Sequence, residues 1–449
     1  MARQDPPRRG PLLKSVLPKS AVHPVWHLAA VVLTLTLLAA CSLPLGAPPS
    51  AKSARSAPPA STATSTSPLA SETVYWSRGD ILIALRASDG HLRWKVGGWT
   101  VTLPSGNGFV GGPGTPTLAD GTLYAAVSLD HAQAYALAAT DGSTRWHTTF
   151  PGCFNLVGSA GPPLLAGGVL YVAVSGHDCA PSGWVYALRA SDGTVVWRTP
   201  FEKDVLPPRA LTGGTLLVAS STYPAVDEQD SLTALRPSDG ARLWRVQLSI
   251  SPYYLAAADG IVVVSGYFSG DKLEARRARD GQRRWITPAN RYNNAPLVIA
   301  NGLVYVSGQD GYLYALRLQD DTVQWRFAAG TGADSSGASE PAVVDSTIYW
   351  GAGPLLYALD ARTGALQHAY HLFPGAEGST PGEVFFVYSP PAVADGALFV
   401  AAQGIVVCGM LHCPVQPVTL YALDVATGTE LWHHTEPAGN ATLPPVVGP

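Results

Sequence analysis

Short apolar strands separated by short polar turns fill the chain from residue 72 to its end. One such unit runs from Leu297–Ala300 through Asn301-Gly302 into the apolar residues 304–306. Another places Asp120-Gly121 between two apolar strands. Asn-Gly and Asp-Gly pairs between apolar runs favour two-residue hairpin turns. The pattern therefore predicts an all-β body built from many short strands.

A second pattern recurs eight times and usually ends in tryptophan. Each copy has an apolar strand with Ala, usually followed by Leu, then a turn with Asp-Gly or Thr-Gly, and then the Trp strand. The alanines are Ala84, Ala136, Ala187, Ala234, Ala275, Ala315, Ala358 and Ala422. The tryptophans are Trp94, Trp146, Trp197, Trp244, Trp285, Trp325 and Trp432. With the hairpin before it, each repeat supplies four strands, A to D, over about 40–64 residues.

Both ends of the repeat array indicate a closed ring. The first repeat starts at a B strand, residues 74–76, whereas the last repeat is followed by residues 443–447, which have the pattern of an A strand. We expect this last strand to complete the first blade and so remove an exposed strand edge. The predicted fold is an all-β, eight-bladed β-propeller of four-stranded antiparallel blades, closed by the C-terminal strand.

The N-terminal segment has the order of an export signal. Basic residues precede an apolar run over residues 28–40, and Cys41 follows. Leu38-Ala39-Ala40 before Cys41 resembles the lipobox of bacterial lipoproteins, which implies cleavage before Cys41 and its diacylation. An uncleaved signal anchor is the alternative, although the run is short for a membrane-spanning helix.

Three segments follow from this pattern. We predict a signal peptide at 1–40, lipidated Cys41 with a tether rich in Pro, Ala, Ser and Thr at 41–71, and the propeller at 72–449. The chain would be exported and anchored by lipid, either on the outer side of the cell membrane or in the periplasm at the outer membrane.

Composition and charge restrict the class of partner. Hydrophobic residues make up 47% of the chain and charged residues 14%, which excludes a disordered body. Residues 1–71 carry seven basic residues and one acidic residue, so the net charge of −3 leaves the body at −9. An acidic body disfavours nucleic acid and anionic membrane surfaces as partners.

The repeat resembles the tryptophan-docking motif of the pyrroloquinoline-quinone (PQQ)-like propellers over about residues 72–449. The resemblance implies an eight-bladed fold in which the seven tryptophans pack against neighbouring blades. It does not decide function, because the family includes quinoprotein dehydrogenases and non-enzymatic lipoproteins of the BamB type. We predict an extracytoplasmic lipoprotein that acts as a protein-binding or scaffolding propeller in envelope protein assembly. A PQQ-dependent dehydrogenase or a cofactor- or sugar-binding propeller is the alternative.

Several positions depart from the family pattern. His368 replaces the seventh Trp, so we expect looser packing there, and Asp321 stands where glycine is expected in the sixth copy. Family members often have Asp after Ala-Leu, and this chain instead has Arg86, Arg189, Arg236 and Arg317. These arginines are interpreted as solvated turn residues, with a basic ring for a partner as the alternative.

The motifs of an enzyme are weak in this sequence. The adjacent cysteines of quinoprotein dehydrogenases are absent and the body is short for that class. We therefore predict no cofactor, no metal and no catalytic residue, although weak PQQ binding in the central funnel stays open. Residues 106–111 have the glycine spacing of a dinucleotide-binding fingerprint. We do not expect a nucleotide site there, because these residues fall in a loop without the strand and the helix that the fingerprint requires.

Four further cysteines in an exported protein suggest disulfides. Cys153 and Cys179 fall in loops of one blade that emerge on the same face, and Cys408 and Cys413 share one loop. We predict the pairs Cys153–Cys179 and Cys408–Cys413. A metal site at Cys408, His412 and Cys413 is the alternative to the second pair.

The loops predict where a partner binds. Turns between strands A and B and between strands C and D are expected to span two to four residues, whereas the long segments all connect D to A or B to C and share one face. Apolar residues in these long segments are candidate contacts for a protein, peptide or glycan. They are Trp99, Phe109, Phe154, Trp184, Tyr223, Phe373, Met410 and Leu411.

Overall fold

The turns between strands A and B form as two-residue hairpins in seven blades. Asp120 and Gly121 have φ of 46° and 65°, and Asn301 and Gly302 have 54° and 72°. Two consecutive positive φ angles give a type I′ turn, whose twist matches that of the strands it joins. The apolar strands on either side consequently pair antiparallel, as in Leu297↔Val306.

The computed structural model describes residues 68–78, 80–102, 108–110, 113–127, 131–151, 162–175, 181–208, 210–221, 230–267, 272–288, 297–308, 310–329, 338–372, 383–387, 389–406, 417–437 and 443–449. Strands dominate these residues, and a single 3-10 turn lies at Pro68–Ala70. Within the ranges just given, no helix is long and apolar enough to cross a membrane.

Eight antiparallel sheets form blades 1 to 8. The strands of blades 1 to 4, with a separate hairpin between blades 1 and 2, are β1 (Thr73–Arg78), β2 (Ile81–Arg86), β3 (Leu92–Gly97), the hairpin β4 (Thr100–Thr102) and β5 (Gly108–Val110), β6 (Thr117–Ala119), β7 (Thr122–Val127), β8 (Gln133–Ala138), β9 (Thr144–Thr149), β10 (Leu164–Ala166), β11 (Val169–Ser175), β12 (Gly183–Arg189), β13 (Val195–Phe201), β14 (Asp204–Val205), β15 (Ala210–Thr212), β16 (Thr215–Ser221), β17 (Ser231–Leu235) and β18 (Arg242–Gln247).

The strands of blades 5 to 8, with the strand that returns to blade 1, are β19 (Ser251–Ala258), β20 (Ile261–Tyr267), β21 (Leu273–Arg277), β22 (Arg283–Ile286), β23 (Leu297–Ala300), β24 (Leu303–Ser307), β25 (Tyr312–Arg317), β26 (Val323–Ala328), β27 (Ala342–Val344), β28 (Thr347–Ala352), β29 (Leu355–Asp360), β30 (Leu366–His371), β31 (Glu383–Val387), β32 (Ala392–Ala394), β33 (Ala397–Val406), β34 (Val418–Asp424), β35 (Glu430–Glu436) and β36 (Val446–Gly448).

The C-terminal strand closes the ring as predicted. β36 pairs antiparallel with β1 through Thr73↔Gly448, Val74↔Val447 and Tyr75↔Val446. Blade 1 therefore has the order β3-β2-β1-β36 and takes its innermost strand from the far end of the chain. The predicted eight-bladed architecture is confirmed.

The apolar core is divided among the interfaces between blades. Eight clusters of buried residues each join two neighbouring blades. One of them joins blade 8 to blade 1, with Phe399 and Trp432 from one and Val74 and Trp76 from the other. The ring thus depends on packing between blades, as in other repeat architectures.

Seven of these interfaces contain the same tryptophan hydrogen bond. Each repeat Trp donates its indole Nε1–H to a backbone oxygen of the next blade at 2.8–3.1 Å, for example Trp94 to Ala139 and Trp432 to Ala87. At six of these seven interfaces the turn glycine of the next blade lies under the ring. At Gly193, with φ of 72°, a Cβ atom would lie 2.5 Å from Trp146 Cε3. Glycine therefore supplies both the backbone angle and the close approach.

Tyr370 completes the interface that lacks a tryptophan. The Tyr370 hydroxyl donates to the Val425 carbonyl oxygen at 2.7 Å, in the place of the missing indole bond. The His368 ring packs against Tyr370 with centroids 4.4 Å apart. The expectation of looser packing is not supported there, because a residue two positions after the motif supplies the hydrogen bond.

The variant Tyr370→Phe tests whether the Tyr370 hydroxyl replaces the missing indole hydrogen bond. Tyr370→Phe should lower the free energy of unfolding by about 1–2 kcal/mol, because it removes the donor to a buried carbonyl. Burial raises the pKa of Tyr370 to about 12, so this contribution is fully present below pH 10 and is lost as pH rises through about 12.

Tyr305→Phe is the matched control. Tyr305 is also buried, but its acceptor, the Ala361 oxygen, retains the Trp325 indole at 3.1 Å. Urea denaturation should therefore show a smaller loss for Tyr305→Phe. Equal losses of unfolding free energy in the two variants would mean that the Tyr370 hydroxyl does not replace the missing tryptophan.

Candidate functional site

The two faces of the ring differ in construction. We call the face with the A–B and C–D connections the turn face, and the face with the B–C and D–A connections the loop face. The C–D connections contain five or six residues, such as 87–91 and 236–241, so the expected maximum of four was wrong for them. These connections are longer because each is built on a turn closed by a bond between residues four apart, as from the Gly90 amide to the Arg86 carbonyl oxygen at 2.9 Å.

Four C–D turns of the turn face each contain an internal Arg–Asp pair. The four arginines that replace the family Asp bind the Asp three residues later, at 2.7 Å for Arg86–Asp89, 2.8 Å for Arg189–Asp192, 2.7 Å for Arg236–Asp239 and 3.4 Å for Arg317–Asp320. Hydrogen bonds from Thr194 and the Arg189 guanidinium lower the pKa of Asp192 to about 2. These four arginines are therefore paired inside their own turns and do not form an unpaired basic ring.

The loop face carries strands that the sequence did not predict. β4 and β5 form a hairpin in the D–A connection between blades 1 and 2, in a segment expected to be loop. β14 and β31 pair with β16 and β33 and add a fifth strand to blades 4 and 8. They lack the repeat pattern and β14 has only two residues, so no periodicity in the sequence could have shown them.

A cavity of about 380 Å³ opens among the innermost strands on the side of the D–A connections. Its lining is mainly proline, leucine and alanine, and it includes one carboxylate, Glu340. Pro163, Leu164, Pro208, Leu255 and Leu297 are among the lining residues. Such a cavity can hold the apolar side chains of a partner, and a charged group such as Glu340 can orient that partner.

The lining does not fit PQQ. The innermost strands of the eight blades are β36, β6, β10, β15, β19, β23, β27 and β32, and in their described residues they contain no charged side chain. PQQ carries three carboxylates, which need cationic partners. Glu340 would repel them. The described lining of the cavity therefore offers PQQ no cationic partner.

The candidate contact residues are placed as follows. Trp99 is only 7% exposed and packs between blades 1 and 2, so little of its side chain is available to a partner. It lies over the core because the chain turns into the β4–β5 hairpin there. Trp184 is partly buried on β12, with the Arg198 guanidinium 4.9 Å from its ring. Phe109 lies in β5, but its side chain is outside the described set.

The other predicted positions lie outside the described residues. They are Cys41, Phe154, Tyr223, Phe373, Met410, Leu411 and the four cysteines Cys153, Cys179, Cys408 and Cys413. The lipid anchor, the two disulfides and most of the loop contacts therefore stay predictions.

Comparison with known proteins connects this fold to one family. A family model described as "Outer membrane protein assembly factor BamB" matches residues 78–179, 130–295, 228–412 and 310–448. The protein of that name from Yersinia pestis is 26% identical over 275 residues, which are 55% of this chain and 65% of the relative. The one from Moranella endobia is 27% identical and covers 33% of this chain and 40% of the relative.

The chain thus spans less than two thirds of the length of these curated relatives. Among solved structures, the quinohemoprotein alcohol dehydrogenase from Comamonas testosteroni is similar with a TM-score of 0.51 and 13% identity, over 74% of this chain and 68% of that chain. At that identity the likeness shows the fold alone. The family model, by contrast, matches nearly the whole propeller, and the chain belongs to the PQQ-like repeat family described as outer membrane protein assembly factor BamB.

Proposed function

We propose that this chain is an extracytoplasmic, protein-binding propeller that takes part in the assembly of envelope proteins. Membership of the assembly-factor family over residues 78–448 is the observation that carries the proposal. The partner is a protein rather than a small substrate, and it binds at the loop face. Export by residues 1–40 and lipidation at Cys41 would place the propeller at a membrane.

The difference between the faces supports the choice of the loop face. The turn face consists of short turns that recur from blade to blade, and in four of the C–D turns an arginine is paired with an aspartate of the same turn. The loop face instead has an apolar cavity and added strands that break the repeat. A binding surface that distinguishes one partner from others needs such local differences on a rigid scaffold.

The point where the chain enters the ring also supports this orientation. Leu69 is buried between blades 8 and 1, and Arg93 donates to the backbone oxygens of Ala70 and Glu72 at 3.5 and 3.4 Å. β1 then runs from the turn face to the loop face. Residues 68–72 therefore lie at the turn face, opposite the face proposed to bind the partner.

A pair of leucine variants tests the proposal in the organism that makes the protein. Leu164→Arg places a charge in the cavity of the loop face, whereas Leu211→Arg changes a 38% exposed leucine on the innermost strand of the next blade, outside that cavity. In cells that lack the wild-type gene, Leu164→Arg should lower the folded fraction of an outer-membrane β-barrel protein severalfold, measured by heat-modifiable gel mobility.

Leu211→Arg should restore assembly to the wild-type level, and equal melting temperatures would exclude unfolding as the cause. Full assembly with Leu164→Arg would show that the cavity is not part of the surface that binds the partner. Normal assembly in cells without the gene would overturn the proposed function itself.

The loop of blade 8 offers a second variant. Removing residues 403–418 would cut into β33 and β34, where Gln403 pairs with Val418. Replacement of residues 407–416 with a short Gly-Ser linker spares both strands. This variant should keep the melting temperature and lose assembly activity if the loop contributes to the same surface.

A further inference from the structure

Asp230 is a buried carboxylate that forms no ion pair with any residue that the structure describes. It is 2% exposed and lies immediately before β17, and within the described residues neither of its carboxylate oxygens has a hydrogen-bond partner. Burying an ionised carboxylate without compensation is costly, so an isolated one calls for an explanation.

The strand register places further oxygen atoms beside Asp230. Ser220 pairs with Ser231, so Ser221 is opposite Asp230, and Ser221 also pairs with Asp204 of β14. Residues opposite each other across antiparallel strands project to the same face, with Cβ atoms about 5 Å apart. Asp204, Ser221 and Asp230 therefore form one row across three strands.

The row faces blade 5. The Ser221 hydroxyl lies 3.0 Å from the hydroxyl of Ser251, the first residue of β19. Leu232, which shares the face of Asp230, packs in the cluster between blades 4 and 5. The hydroxyls of Ser220 and Ser231 meet on the opposite face, 2.9 Å apart, which agrees with this alternation.

We propose that Asp230, with Asp204, Ser221 and Ser251, forms a site for a hard divalent cation of the size of calcium between blades 4 and 5. All four residues offer oxygen, the ligand type that calcium prefers. A bound cation would supply the positive counter-charge for the buried Asp230 carboxylate. The site lies at the interface between two blades and is separate from the apolar cavity.

The donor set indicates weak binding. Among the described residues, no three His, Cys, Asp or Glu side chains cluster as metal ligands, so hydroxyl, carbonyl and water oxygens would complete the shell. Sites with few carboxylates in extracellular modules have dissociation constants on the order of 10⁻⁴–10⁻³ M. Binding would link blades 4 and 5 and stabilise the ring.

Thermal denaturation of the full chain tests the site. Relative to EDTA, 5 mM CaCl₂ should raise the Tm by about 2 °C, and 5 mM MgCl₂ should have a smaller effect. Asp230→Asn should abolish the calcium shift and should melt no lower than wild type in EDTA, because the buried charge is gone. Asp345→Asn, at an exposed turn with φ of 53°, is the matched control and should keep the shift.

Terbium luminescence provides a measurement that does not depend on stability. Wild type should give a saturable Tb³⁺ signal that calcium displaces, and Ser221→Ala should weaken it several-fold without unfolding the ring. The proposal is overturned if wild type shows neither a calcium shift nor a saturable signal. A calcium shift that persists in Asp230→Asn would equally overturn it.

Discussion

Removal of residues 443–449 is expected to lower the free energy of unfolding by about 4 kcal/mol. β36 contributes three residue pairs to β1, and the partly buried Val447 packs against the cluster between blades 8 and 1. Each backbone hydrogen bond contributes roughly 1 kcal/mol and each partly buried valine about 1 kcal/mol. Thermal denaturation followed by circular dichroism, with limited proteolysis, would measure the loss.

The truncated ring should still fold at low temperature, because side chains also cross this interface. Trp432 donates to the Ala87 oxygen at 2.8 Å, and Lys95 Nζ lies 3.0 Å from Glu436 Oε2. Deletion of Pro449 alone is the control, since it lies beyond the last pair with β1. An unchanged Tm in the longer truncation would show that the C-terminal strand does not close the ring.

Glu274→Ala is expected to destabilise the protein by about 3–5 kcal/mol. Glu274 is fully buried and accepts hydrogen bonds from Arg276 Nε at 2.7 Å and from the Ser249 amide at 2.8 Å. Arg276 is 8% exposed and also donates to the oxygens of Gln247 and Gly281. Without the carboxylate, the guanidinium remains buried as an uncompensated charge.

The double variant Glu274→Tyr with Arg276→Leu separates the cost of breaking the pair from the value of the pair. Tyr and Leu occupy these positions in other blades, as Tyr186 and Leu188 do in blade 3. Replacing both charges with residues of the repeat should restore stability to within about 1–2 kcal/mol of wild type. Arg236→Ala, in an exposed pair of the turn face, should cost less than about 1 kcal/mol.

Chemical denaturation of the three variants would measure these changes in the free energy of unfolding. A loss for Glu274→Ala no larger than that for Arg236→Ala would mean that the buried pair contributes nothing beyond an exposed one. A double variant as unstable as Glu274→Ala would mean that blade 5 cannot accept the residues of the repeat.

The repeat pattern was sufficient for the fold because each blade uses the same local chemistry. Asp-Gly and Asn-Gly specify type I′ turns from two adjacent residues. The repeated Trp and turn glycine identify both partners of each interface, since one packs on the other. The role of Tyr370 could not be predicted from the repeat, because its hydroxyl meets the Val425 carbonyl oxygen only when β30 packs against the next blade.

The number of blades, their strand pattern and the closure of the ring could be predicted from the sequence, because these depend on local turns and a period that repeats along the chain. Features that bring distant residues together depend instead on the tertiary structure. The tertiary structure buries Trp99 between blades 1 and 2 and opens an apolar cavity among the innermost strands. It also set Asp230 in one row with Ser221 and Asp204, since register across three strands is fixed by pairing and packing rather than by spacing along the chain.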